Sequence, residues 1–135
     1  MITAIDTNIL IDILEPCPKF GIASKNALKK SLAQGSVVAC DVVWAELATA
    51  YGDKQEELLR TLDGLGVAYS PIVQEAAQEA AKGWYKYHKI GGARKRIAAD
   101  FLIGGHALIQ CDRLLTRDKG VFLSVFKSLE ILDPS

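Results

Sequence analysis

Four acidic residues stand apart from other charges in apolar or strand-ending settings: Asp6, Glu46, Asp100 and Asp118. Asp6 closes the short apolar run of Ile2, Ala4 and Ile5, just where a strand would open into a helix. Glu46 lies mid-helix between Ala45 and Leu47, and Asp41 and Glu46 are the only charges between Ser31 and Gly52. Asp100 is the only formal charge in the segment from Ile97 to Gln110, and Asp118 directly follows the apolar Leu114-Leu115-Thr116. A carboxylate in apolar surroundings is costly unless something pairs with it. Each acid has an ordinary explanation by itself: a helix cap for Asp6, a helix dipole for Asp100, a turn for Asp118 and an Arg partner for Glu46. Gathered together they would repel and raise one another's pKa, a conflict that a hard divalent cation resolves. An all-oxygen donor set without nearby Cys or His favours Mg²⁺ or Mn²⁺, held by one or two carboxylates, waters and a substrate phosphate. Asn8 and Thr116 could orient those waters or carboxylates from behind, or serve simply as a helix-start residue and a strand filler.

The elements around these acids alternate between strand and helix. Thr7-Asn8 is expected to cap a helix from Ile9 to Leu14, and Pro16-Cys17-Pro18 then breaks regular structure. Ser24 is expected to cap a second helix ending near Gln34-Gly35, with Lys25, Lys29 and Lys30 on its wet face. Val37 to Cys40 reads as a strand, Asp41 as an N-cap, and Val42 to Tyr51 as an apolar helix. Leu58, Leu59, Leu62 and Leu65 give the next helix its buried side, with Gly64 and Gly66 ending it. Val67 to Ser70 is a third strand candidate, Pro71 sits at the first turn of a helix reaching about His88, and a nearly apolar helix spans Ile97 to Gln110. A fourth strand, a short helix from Val121 to Phe126 and a fifth strand from Leu129 to Leu132 complete the chain. Strands alternating with helices and joined by no hairpin predict an α/β fold: a parallel sheet of about five strands in a three-layer α/β/α arrangement. Asp6 and Asp118 would then share the carboxyl edge, where such sheets bind ligands, and the first turns of two helices would bring Glu46 and Asp100 near it. Asp112, which precedes its strand, belongs at the opposite edge.

The 135 residues are expected to form one domain with a sufficient core of its own. Lys plus Arg and Asp plus Glu each total 16, so no global field recruits a polyanion and nucleic-acid contact must come from local clustering. Such a cluster exists: from Lys82 to Arg96 there are six Lys or Arg residues and no acid. Within and beyond it, Arg94, Lys95, Arg96 and Arg117 are candidate substrate-binding residues, while a solvated helix face is the plain alternative. Trp84, Tyr85 and Tyr87 would stack on bases or else pack in the core or a dimer contact. Cys17, Cys40 and Cys111 are odd in number and lack C-x-x-C spacing, which argues against a disulfide frame or zinc knuckle and fits a reducing compartment, the cytoplasm. No segment reads as a signal peptide or membrane span.

The runs Ala4-Ile5-Asp6-Thr7-Asn8-Ile9-Leu10, Trp44-Ala45-Glu46-Leu47, Arg96-Ile97-Ala98-Ala99-Asp100-Phe101-Leu102-Ile103-Gly104 and Leu114-Leu115-Thr116-Arg117-Asp118, in that order, resemble the PIN-domain ribonucleases. They look most like the VapC-type toxins of toxin–antitoxin pairs. The resemblance implies a Mg²⁺- or Mn²⁺-dependent endoribonuclease, a frequent homodimer, inhibited by a small cognate antitoxin. It also implies that Asp6 and Asp100 are the core metal ligands, with Glu46 and Asp118 completing the catalytic acids. Asp41 departs from the pattern, standing where a small hydroxyl residue is expected. An apolar groove among Ile9 to Leu14, Ala27 to Leu32 and Leu58 to Leu65 would suit an amphipathic antitoxin helix. Two other classes share an acidic parallel sheet or its fold: a receiver-like phosphoacceptor domain, and a non-catalytic module binding RNA or peptide.

Overall fold

The computed structural model describes residues 1–89 and 98–134. Five strands, β1 (Ile2–Ile5), β2 (Ser36–Ala39), β3 (Val67–Tyr69), β4 (Arg113–Leu115) and β5 (Ile131–Leu132), form one sheet in the order β3-β2-β1-β4-β5. Every pairing is parallel. Parallel neighbours need crossovers, and helices supply them. α1 (Thr7–Leu14) and α2 (Gly21–Gln34) join β1 to β2, and α3 (Asp41–Tyr51) and α4 (Gln55–Leu65) join β2 to β3. α5 (Gln74–Lys89) and α6 (Ala98–Gln110) return to β4, and α7 (Lys119–Val125) leads to β5. α1 packs on α2 and α3, and α3 on α4, whereas α5, α6 and α7 pack on one another. Right-handed crossovers put these two sets on opposite faces of the sheet, because the chain reverses its direction of travel after β3. The strand order also separates this fold from receiver domains, whose order is 2-1-3-4-5.

Both faces being covered, the central strands are mostly apolar: Ala4, Ile5, Val37, Ala39, Leu114 and Leu115 are essentially inaccessible. The helix starts differ from expectation in an informative way. Asp6, not Thr7 or Asn8, caps α1, with its carboxylate accepting from the Thr7 amide at 2.7 Å. α2 begins at Gly21, so Ser24 lies inside it, and its hydroxyl donates to Asp12 at 2.8 Å rather than capping. Asp41 is the first residue of α3 rather than its cap, and takes the Val42 amide at 3.2 Å. In each case a side chain that could have capped locally has a partner elsewhere, or the strand ends one residue earlier.

The amino edge of the sheet is held by charge. Asp112 accepts from the Ile2 amide at 2.6 Å, confirming its place at the edge opposite Asp6. Arg113 is buried within β4 and donates to Thr3 Oγ1 at 3.0 Å, to Ser31 and to the Gln34 side chain. On the other face, α5 and α6 approach closely around Phe101, whose ring stacks on Trp84 at 6.0 Å and meets Tyr87 at 5.5 Å. Tyr85 on the same helix is 63% exposed. Among the described residues no helix is long and apolar enough to cross a membrane.

The α5–α6 contact depends on Gly105, where an added Cβ would lie 2.5 Å from the Ala76 carbonyl oxygen. Gly105→Ala is therefore expected to lower stability by about 1–3 kcal/mol in denaturant titration, despite the helix-propensity gain of ~1 kcal/mol. Gly64→Ala in α4, where an added Cβ meets nothing within 4 Å, should instead stabilise by roughly 0.5–1 kcal/mol.

Candidate acidic site at the carboxyl edge

β1 and β4 lie side by side, and the chain leaves them in opposite directions, so their carboxyl ends flank the topological switch point of the sheet. Asp6 follows β1 and Thr116 follows β4. The ladder continues through the Asp6 amide, which donates to Leu115 O at 3.0 Å and so fixes the two ends against each other. Thr116, fully buried, donates its hydroxyl to Asp6 Oδ2 at 2.7 Å. The Asn8 amide stands 3.4 Å from both Asp6 Oδ2 and Thr116 Oγ1. The Asp118 amide donates to Thr116 Oγ1 at 3.0 Å, which places Asp118 at the start of α7 beside this cluster. Thr7, the first residue of α1, donates its hydroxyl to Glu46 Oε1 at 2.7 Å, drawing exposed Glu46 from α3 toward the end of β1. Asp100 is half-buried in the first turn of α6.

Burial pushes the Asp6 carboxyl up from 3.8 to about 6. Hydrogen bonds from Thr116 and the Thr7 amide oppose that rise, and the charges of Asp100 and Glu46 add to it. Asp6 is thus brought within electrostatic reach of two of the other three acids. The donors are hard oxygens, which suits Mg²⁺ or Mn²⁺ rather than zinc or copper. Among the described residues no three acidic, His or Cys side chains converge into a preformed cage. The arrangement fits an ion that takes one or two carboxylates and fills its remaining positions with water and phosphate. Burial raises the Cys40 thiol and pushes Cys111 up to about 12, which favours the protonated form of both. His106 is a buried core residue whose Nε2 lies 2.9 Å from Ser70 Oγ, and burial lowers its pKa so that it is neutral.

The expected basic residues fare differently. Arg94, Lys95 and Arg96 lie outside the described residues. Arg117, expected to face substrate, has another neighbourhood. Its Nε and Nη2 donate to Asp12 at 2.7 and 3.0 Å, its guanidinium lies 4.0 Å from the Phe20 ring centroid, and its amide donates to Asn8 at 3.4 Å. Asp12, buried in α1 and also bonded by Ser24, was legible by the same signal as Glu46, a lone acid in an apolar helix. Its partner was not, since Arg117 is 105 residues away. Thr7, by residue type a helix cap, is instead the link between α1 and Glu46.

The family model described as the PIN domain matches residues 3–127. Comparison with curated protein sequences finds no match. Solved structures are similar over nearly the whole length. A chain from VapBC2 of Rickettsia felis, bound to a promoter DNA fragment, matches with a TM-score of 0.75 at 20% identity, covering 98% of each chain. A chain of VapBC-1 from nontypeable Haemophilus influenzae matches with a TM-score of 0.75 at 23% identity, covering 99% of this chain and 98% of that one. One from a toxin–antitoxin complex of Klebsiella pneumoniae gives 0.66 at 22% identity, with 98% of each covered.

The raised Asp6 pKa has a signed consequence for metal-free protein. Below about pH 4 the carboxyl is neutral in both folded and unfolded chains and costs nothing. Between about 4 and 6 the folded chain keeps a proton that the unfolded chain releases, so stability falls as pH rises, and above about 6 the full cost is present. Asn caps a helix as well as Asp. Asp6→Asn should therefore raise stability at pH 7.5 by about 1–3 kcal/mol and give no gain near pH 4, measured by denaturation in EDTA.

Proposed function

Because this chain belongs to the PIN-domain family, we propose that it is a metal-dependent endoribonuclease and the toxin of a toxin–antitoxin pair. The observation that carries this reading is the buried Asp6 at the β1–β4 switch point, its pKa raised toward neutrality with the charges of Asp100 and Glu46 contributing. A buried carboxylate with two further acids acting on it is costly without a cation and useful with one. Asp6 and Asp100 would hold the ion. When bound, Mg²⁺ or Mn²⁺ supplies Lewis-acid polarisation of the scissile phosphate and of a water nucleophile.

The protein's own groups do the rest. Thr116 and the Thr7 amide hold the Asp6 carboxylate in one orientation through hydrogen bonds at 2.7 Å each. Glu46, steadied by Thr7 Oγ1, would accept a proton from the attacking water or position it for in-line displacement. Asp118, fixed through its backbone to Thr116, completes the acidic wall. Asn8 presents an amide to the same cluster. Arg117 acts here by clamping the loop after β4 to α1 through Asp12. Arg94, Lys95 and Arg96 keep their proposed role along the RNA backbone.

A cognate antitoxin is the proposed inhibitor, and one groove suits an amphipathic helix. It has a volume of about 380 Å³ and is lined by Ile11 and Leu14 of α1 and by Leu47 and Tyr51 of α3, with α4 at its rim. Ala27 to Leu32 and Leu58 to Leu65, expected as parts of this groove, are not among its walls, and α4 contributes only Glu57. A single domain over residues 1–135, a homodimer and a cytoplasmic location belong to the same proposal.

Wild-type protein freed of any partner should cut a pool of structured RNA with Mg²⁺ or Mn²⁺ and not with EDTA, while Asp100→Asn should lose at least about a hundredfold in rate. Cutting that persists in EDTA, or at full rate in Asp100→Asn, would overturn the assignment. Mg²⁺ at a hundred times its Kd should stabilise wild type by about 2.7 kcal/mol and the mutant by less, in thermal melts.

A further inference from the structure

One groove of the described chain is lined by none of the acidic-site residues. It is an open groove of about 650 Å³ between the second half of α5 and the segment from Ser124 to Ser128. Its floor is apolar and tight: an added Cβ at Gly83 would lie 2.7 Å from Val125 Cγ1, so α5 and the end of α7 cannot move apart or together without losing packing. Its rim is basic. Lys82, Lys86 and Lys89 line one side and Lys127 the other, all exposed, against a single carboxylate, Glu79. Glu79 is paired with Lys82 at 3.1 Å, and Lys89 lies 5.2 Å from the ring of exposed Tyr85.

A chain with equal numbers of acidic and basic residues does not place four lysines around one groove by excess of charge. The helix dipole explains Lys86 and Lys89, which lie in the last turn of α5, but not Lys127 across the groove. Lys82 and Lys86 are four apart and Lys86 and Lys89 three apart, spacings at which like charges disfavour the helix. A polyanion laid between the two rims removes that repulsion, and the exposed Tyr85 ring offers a surface on which a base can stack. The groove and the acidic site are also fixed to one body, because Phe101, next to Asp100, packs on Trp84 and Tyr87 of α5.

We propose that this groove is a second RNA-contacting site, taking the phosphodiester backbone of the substrate strand at a distance from the acidic centre. The choice of RNA as the polyanion rests on the nuclease reading above. The geometry of the groove does not depend on it.

The experiment is fluorescence anisotropy of the full chain in EDTA with a labelled, non-cleavable 2′-O-methyl single-stranded RNA, titrated over a range of salt. The triple variant Lys82→Gln/Lys86→Gln/Lys127→Gln is compared with Lys25→Gln/Lys29→Gln/Lys30→Gln, which removes the same charge from the exposed side of α2. The groove variant should bind at least about tenfold more weakly, with the slope of log K against log salt reduced by roughly 2, while the α2 variant stays near wild type. Lys86→Glu alone should weaken binding in the same direction, which keeps the test open if the triple variant folds poorly. Equal loss in both triple variants, no loss in the groove variant, no RNA binding by wild type, or groove-dependent binding only to phosphatidylserine vesicles would each overturn the proposal. Groove-dependent RNA binding by a wild-type protein that cuts nothing with Mg²⁺ or Mn²⁺ would support the groove and overturn the nuclease reading alone.

Discussion

The burial of one carboxylate governs this structure. Asp6 ends β1, caps α1 and receives the Thr116 hydroxyl from the end of β4, so a single side chain joins three elements across the centre of the sheet. Its hydrogen bonds offset only part of the cost of removing it from water, and its pKa stays near 6 rather than near 4. The fold thus accepts a local penalty at the place where its topology also leaves a crevice. Conflict between local stability and the rest of the fold falls here on the residue that also caps α1.

The two edges of the sheet treat charge in opposite ways. At the amino edge, Arg113 is buried but donates to Thr3, Ser31 and Gln34, and Asp112 accepts a backbone amide, so each charge is spent on structure. At the carboxyl edge, the charges of Glu46 from α3 and Asp100 from α6 act on Asp6 at the end of β1. The same residue types are thus matched by structural partners at one edge and left close to like charges at the other.

Much of this was legible in the sequence for physical reasons. Alternating apolar strands and helices without hairpin signals admit few arrangements besides a parallel, doubly covered sheet. Isolated acids after strands then fall at one edge. What was illegible depended on partners distant in sequence. Thr7, Asn8 and Ser24 all have the side chains of good caps, and nothing local reveals that Glu46, Thr116 and Asp12 compete for them. Asp12 carried the same mark as Glu46, yet the two differ in outcome because one meets Arg117 in the interior and the other faces the crevice. The basic run was visible as a run, but the groove was not, since its opposite rim comes from Lys127.

The tie between Arg117 and Asp12 spans the junction of the chain's first helix and its fourth strand, with the guanidinium over the Phe20 ring and Ser24 completing the carboxylate. Pairs of this kind behave unlike apolar contacts on heating. The hydration that competes with an ion pair weakens as temperature rises, while the gain from burying hydrocarbon levels off. The competition from water that opposes this tie therefore falls on warming, while the apolar contacts around it gain little further.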